Sequence, residues 1–147
     1  MAPNSSDEVT PRLWQGAAPD PLKSYDGFDV LVLCAREVQP RFRRFKGTVI
    51  RAPFVDTPYP TDVERKIAIR AAREVAKRLR KGQKVLVTCA AGLNRSGLVV
   101  ALALRMATQM HPEEIIRRIR AARGERALSN PAFERIVRGF GSRISKR

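Results

Sequence analysis

Two cysteines in 147 residues are too few to staple a small secreted scaffold, and with one histidine they make no plausible zinc set. Neither a metal nor a cofactor is therefore expected. The chain has no long apolar run either. The stretch from Leu98 to Leu104 falls far short of the roughly 20 residues that span a bilayer. It opens MAPNSSDEV, without a basic stretch leading into an apolar one, so no signal peptide is expected. It closes ISKR, without a prenylation cysteine. These absences together predict a soluble, cytoplasmic protein. Acidic residues are scarce too: 14 Asp plus Glu stand against 29 Lys plus Arg, a net charge of +15. Such a surface draws anionic partners by long-range attraction whatever the fold, and RNA or anionic lipid would suit it.

What is present is the size and apolar content of one domain, 44% hydrophobic, with no internal repeat and no low-complexity linker. Residues 1–10 are polar and are expected to form a flexible N-terminal segment, leaving 11–147 as a single domain, expected to be a monomer. Arg12 to Gly16, Phe28 to Cys34, Thr48 to Pro53 and Lys84 to Thr88 are short apolar or β-branched runs bounded by turn residues, and they predict strands. The last is nearly continuous in apolar residues, as a strand covered on both faces would be. Thr61 and Glu64 form a Thr-x-x-Glu capping box, and Gly82 supplies the stop for the helix between them. Val63, Ile67, Ala71, Val75 and Leu79 recur along it every fourth residue. Further helices are expected from Ser96 through Leu104, after His111-Pro112, and from Asn130-Pro131 to Phe140. Strands alternating with helices predict an α/β domain: a mostly parallel sheet of four to five strands flanked by helices.

The chemistry concentrates in Val85-Leu-Val-Thr-Cys89-Ala90-Ala91-Gly92-Leu93-Asn94-Arg95-Ser96-Gly97. A turn between a strand and a helix N-terminus aims successive backbone N–H groups at one point, and the helix dipole adds positive potential there. That arrangement binds a phosphate dianion, and a cysteine beside it has its thiolate stabilised. Arg95 offers a planar fork for two phosphate oxygens. Gly92 permits the tight curl because no Cβ stands in the way. Residues 90–95 are thus the expected phosphate-binding loop.

The segment resembles the His-Cys-x-x-Gly-x-x-Arg-Ser/Thr signature of protein tyrosine and dual-specificity phosphatases. The resemblance runs from about Leu13 to Phe140, and Asn130-Pro131-Ala-Phe133 is similar to that family's Asn-Pro-x-Phe element. In pattern it is closest to the phosphatases of regenerating liver, through the Val-Ala-Leu-Ala-Leu helix and the later Ile-Arg…Arg-Gly stretch. The resemblance implies hydrolysis of a phosphomonoester through a cysteinyl-phosphate, with a phosphorylated protein as substrate. Cys89 is then the nucleophile and Arg95 the phosphate clamp, while Ser96 hydrogen-bonds the departing thiolate. The general acid is Asp56 or Asp62. Asp62 already has a place in the first turn of a capped helix, so Asp56 is preferred. The resemblance also implies a redox partner for Cys89 in Cys34, at the end of a neighbouring strand. One departure stands out: the signature histidine is Thr88 here, which predicts slower turnover or a more alkaline optimum.

Three other readings use the same site. Asn94-Arg95-Ser96-Gly97 is similar to the Asn-Arg-Thr-Gly of capping-enzyme RNA triphosphatases, so an RNA 5′-phosphatase is one. A phosphoinositide phosphatase is the second, and a pseudophosphatase that binds phosphate without turnover, motivated by Thr88, is the third. Elsewhere, Arg41 to Lys46 is read as a short helix anchored by Phe42 and Phe45, or else as a basic-aromatic nucleic-acid patch. His111 is read as a helix-entry residue, and Arg120-x-x-Arg123 as a solvated face.

Overall fold

The computed structural model describes residues 5–141. The chain orders as β1 (Ser6–Thr10), β2 (Leu13–Gly16), β3 (Val30–Ala35), β4 (Thr48–Phe54), α1 (Asp62–Arg80), β5 (Val85–Thr88), α2 (Arg95–Ala107), α3 (Pro112–Arg123) and α4 (Pro131–Gly139). The strands form one sheet in the order β1-β2-β5-β3-β4, parallel except for the antiparallel β1 edge. The expected α/β fold, a mostly parallel sheet flanked by helices, is the observed one.

Every residue of β3 and β5 is buried, as their unbroken apolar runs predict for strands covered on both faces. Val30, Val32 and Cys34 join Val85, Val87 and Cys89 in the helix-side core with α1 and α2. The intervening Leu31, Leu33 and Leu86 turn to the other face and are also buried. The apolar helix α2 is buried from Arg95 through Leu104, wedged between the sheet and the other three helices. Among the described residues no helix is long and apolar enough to cross a membrane.

Two expectations need correction. The N-terminal segment is not loose over Ser6–Thr10: it pairs with β2 as an edge strand. Its polar residues hid it, because a half-exposed edge strand needs few apolar side chains, and Val9 is its only buried residue. Residues 1–4, the rest of that expected segment, and 142–147 lie outside the described residues. Arg41 to Lys46 is not a helix but an irregular connection. Phe42 and Phe45 are only half-buried and pack edge-to-face with each other, and Phe42 also packs edge-to-face with Tyr25.

Candidate active site

β2, β3 and β5 run parallel, so their C-terminal ends share one edge of the sheet. The segment between β5 and α2 curls there. Its N-terminal support is Cys89 N–H donating to Gly16 O at 3.2 Å. At Gly92 the backbone takes φ +72°, and a Cβ would stand 2.4 Å from Gly16 C and 2.5 Å from Ala17 N. No other residue fits that curl.

The carbonyls of residues 90–93 are held from behind. Ala90 O accepts from Ala18 N–H at 3.1 Å and Leu93 O from Leu128 N–H at 3.1 Å. Gly92 O accepts from Gln15 Nε2 and from Arg123 Nε, each at 3.1 Å, and Ala91 O accepts from Arg123 Nη2 at 3.3 Å. The amides of residues 90–94 have no protein acceptor among the described residues. Helix α2 begins at Arg95, one residue before the expected start, and its N-cap Asn94 makes no side-chain capping bond. The loop therefore keeps its backbone donors and the helix N-terminus for an anion.

Cys89 sits against that cradle with 4% of its surface exposed, and its thiol donates to Ser96 Oγ at 3.3 Å. Arg95 is nearly buried. Nη1 and Nη2 bond bidentately to Glu37 at 2.5 and 2.7 Å, and Nη1 also donates to Phe54 O at 3.2 Å. A guanidinium has five N–H donors in a fixed fork. The Nε–H and the second Nη2 hydrogen, on one edge of the plane, remain for two oxygens of a bound anion. The Arg95 hydrogen bonds hold the Glu37 carboxyl down at about 2, from 4.5.

Asp56 lies at the same edge, on the segment after β4. Its Oδ2 accepts from Asn94 Nδ2 at 3.1 Å and its Oδ1 from Asn130 Nδ2 at 2.7 Å. Asp62, its rival from the sequence, is exposed and paired with Arg65 in the first turn of α1. Cys34, the penultimate residue of β3, lies one residue beyond the Leu33–Thr88 pair, beside Cys89 on the helix side of the sheet. It is fully buried, and burial pushes its thiol well above the ordinary value, with Cys89 adding to the effect. Thr88 donates to Val32 O across the sheet at 2.9 Å, so its hydroxyl is spent away from the sulfur. His111 caps α3 by accepting from Glu113 N–H, the helix-entry place expected of it.

Three residues at this edge escape a reading of the sequence: Glu37, Gln15 and Arg123. Arg123 also corrects an expectation. Its side chain is not on a solvated face but wholly buried. An arginine in the last turn of a helix carries no mark distinguishing these two fates.

The sequence matches no protein-family model and no curated protein. Solved structures do match. Human DUSP28 superposes with a TM-score of 0.81 at 20% identity, covering 95% of this chain and 98% of its own. DUSP15 gives 0.78 at 23%, covering 97% and 91%. The human tyrosine phosphatase-like serine/threonine/tyrosine-interacting protein gives 0.75 at 18%, covering 97% and 99%. The chain has the fold of the dual-specificity phosphatases, with a cysteine, an arginine fork and unpaired loop amides gathered at one end of its sheet.

Proposed function

We propose that the chain hydrolyses phosphomonoesters of proteins, phosphotyrosine or phosphoserine/threonine, through a cysteinyl-phosphate. One observation carries the reading: among the described residues, the amides of 90–94 and two N–H groups of Arg95 lack protein acceptors in the segment that also presents Cys89. Donors left unsatisfied at a nearly buried site are costly, and a bound oxyanion satisfies them.

In the first step the Cys89 thiolate attacks phosphorus and the ester P–O bond breaks. Asp56 gives its proton to the leaving oxygen. A proton on Asp56 Oδ2 makes that oxygen a donor, so the longer Asn94 bond is the one exchanged while Asn130 keeps its hold. In the second step water attacks the cysteinyl-phosphate and Asp56 takes the water's proton. The S–P bond then breaks, with Ser96 turning its hydroxyl to donate to the departing thiolate. Inorganic phosphate leaves.

A second reading has its own observation. With Thr88 bonded to Val32, no side-chain donor of residue 88 supports the thiolate, which favours binding without turnover. The experiment that decides is phosphate release from phosphotyrosine peptide, phosphoserine peptide and 5′-triphosphate RNA by parent and Cys89→Ser, with tungstate binding followed by calorimetry. The expected result is release by the parent from a phosphopeptide, none by the variant, and tungstate bound by both. Tungstate binding without release from any substrate would leave the binding reading. Release that survives Cys89→Ser would sink the mechanism.

A further inference from the structure

An arginine with no exposed side-chain surface carries a desolvation cost of several kcal/mol, and a well-packed apolar residue in its place is often as stable. Arg123 therefore calls for a reason beyond packing, and its partners supply one. Nε and Nη2 hold the carbonyls of Gly92 and Ala91, two adjacent peptides of the phosphate-binding loop. Nη1 reaches the other way, to Asp7 Oδ2 at 2.7 Å and Ser5 Oγ at 3.3 Å. Asp7 lies on β1, at the far edge of the sheet, and is half-exposed. The guanidinium is thus a strut between the N-terminal strand and the back of the loop.

The physics of that strut bears on the front of the loop. A peptide plane is rigid, so a carbonyl fixed behind the loop fixes the orientation of the N–H across the same bond. Holding Ala91 O aims Gly92 N–H, and holding Gly92 O aims Leu93 N–H. Neither of these amides has a protein acceptor among the described residues. The Arg123 cation also sits behind the place where negative charge gathers, in a buried setting where such charges act strongly.

We infer that Arg123 is a positioning residue of the phosphate-binding loop and that Asp7, on the N-terminal strand, positions Arg123. The inference rests on the loop binding phosphate, as proposed above, and adds that the edge strand β1 is part of the catalytic apparatus. It sets the aim of two loop amides without approaching the substrate. Gln15, which shares Gly92 O with Arg123, does the same from β2.

The test uses the full chain and four variants: Asp7→Asn, Asp7→Ala, Arg123→Lys and Arg123→Met. Tungstate affinity, kcat, KM and thermal midpoint are measured for each. Misaimed amides should weaken tungstate binding and lower kcat together, about tenfold for Asp7→Ala through loss of one charge-assisted bond. Arg123→Met should lose about 10²-fold. Arg123→Lys, which keeps the charge, should recover part of that loss, and Asp7→Asn, which keeps an acceptor oxygen, should lie between parent and Asp7→Ala. Arg123→Met risks misfolding, so the half-exposed Asp7 decides. An Asp7→Ala protein with a lowered thermal midpoint but parental tungstate affinity and kcat would make the strut merely structural, and the inference wrong. A parent that binds no tungstate would overturn the loop reading itself, and this inference with it.

Discussion

Arg95 reaches its position through contacts that no motif spells out. Glu37 takes the outer edge of the guanidinium and Phe54 O one further hydrogen, so the remaining edge has a single orientation toward the loop. Glutamine at position 37 has one acceptor oxygen where glutamate has two, and the fork is then free to swing. Glu37→Gln is expected to lower kcat/KM about tenfold, the equivalent of roughly 1.4 kcal/mol of transition-state stabilisation. The same variant has a stability signature. The folded Glu37 carboxyl is depressed to about 2 from 4.5, so its contribution is fully present above that upper value and is lost as pH falls through about 2. Thermal unfolding from pH 5 down to about 2 should fall less steeply in Glu37→Gln than in the parent; parallel curves would show that the pair adds no stability. Asp56 is tested by leaving group. Asp56→Ala should cost an alkyl phosphate far more than p-nitrophenyl phosphate, whose leaving oxygen barely needs a proton. An equal loss on both would remove Asp56 from the acid's role.

At this scale the sequence reveals some parts and hides others for a physical reason. Cys89, Arg95 and Ser96 lie within eight consecutive positions, because one backbone curl has to present them all. Asp56 stands out in the sequence because Asp62 has a place in the first turn of a capped helix and Asp56 has none, and the structure puts Asp56 beside the loop. Glu37, Gln15 and Arg123 come from the β3–β4 connection, β2 and the end of α3. Only the sheet's topology brings them to the loop, and a buried arginine reads in sequence like a solvated one.

The segment that carries Asp56 is held between two helix ends. At α1, the capping box forms as the Thr61 and Glu64 spacing predicts, and Glu64 does a second thing. Its Oε1 accepts from Thr61 N–H while its Oε2 accepts from Val55 N–H, one residue before Asp56. These backbone hydrogen bonds, Thr61 first, also lower the Glu64 carboxyl from its usual range. At α4, Asn130 Oδ1 caps the helix by accepting from Ala132 and Phe133 N–H, and its Nδ2 donates to Asp56 Oδ1 and Thr57 O. Glu64→Ala should therefore cost about 1 kcal/mol as a broken cap and also lower kcat on alkyl phosphates more than on p-nitrophenyl phosphate. Loss of stability alone would confine Glu64 to the helix.

The pairing of β3 with β5 bears on the redox partnership that the resemblance implies. Peroxide converts the Cys89 thiolate to a sulfenic acid with release of hydroxide. The Cys34 thiolate then attacks that sulfur, forming the disulfide and expelling a second hydroxide. Cys34 is buried with a raised thiol, so little of it is ionised at neutral pH. Closure should accelerate as pH rises, and Cys34→Ser should be lost irreversibly under peroxide that the parent survives once dithiothreitol is added. Equal recovery of both would leave Cys34 as a core side chain.

Over the whole molecule, the acidic residues are largely engaged and many of the basic ones are not. Glu37, Glu113, Glu114 and Glu134 are all in ion pairs with arginines. Arg41, Arg43, Arg44 and Lys46 have no acidic partner within 4.0 Å among the described residues. Three of these four join Tyr25 and Phe45 around an open cavity of about 630 Å³. That cavity lies at the opposite end of the strands from Cys89, beside the starts of β3 and β4, so it takes no part in the chemistry. Its charge nevertheless acts on anything long enough to reach it, and the net +15 acts on any anion within a Debye length. A lone phosphotyrosine peptide would engage only the loop that carries Cys89, and its kcat/KM should respond only weakly to salt. A single-stranded RNA carrying a 5′-phosphate would add contacts along the basic connection. Three such contacts predict a log-log slope of about −2, or a loss of roughly one order of magnitude between about 50 and 200 mM salt. Replacing Arg43 and Arg44 by glutamate should abolish that slope and leave p-nitrophenyl phosphate hydrolysis unchanged, because neither residue touches the catalytic edge. If RNA and peptide respond to salt alike in the parent, the charge serves solubility, and substrate choice rests on the mouth of the loop.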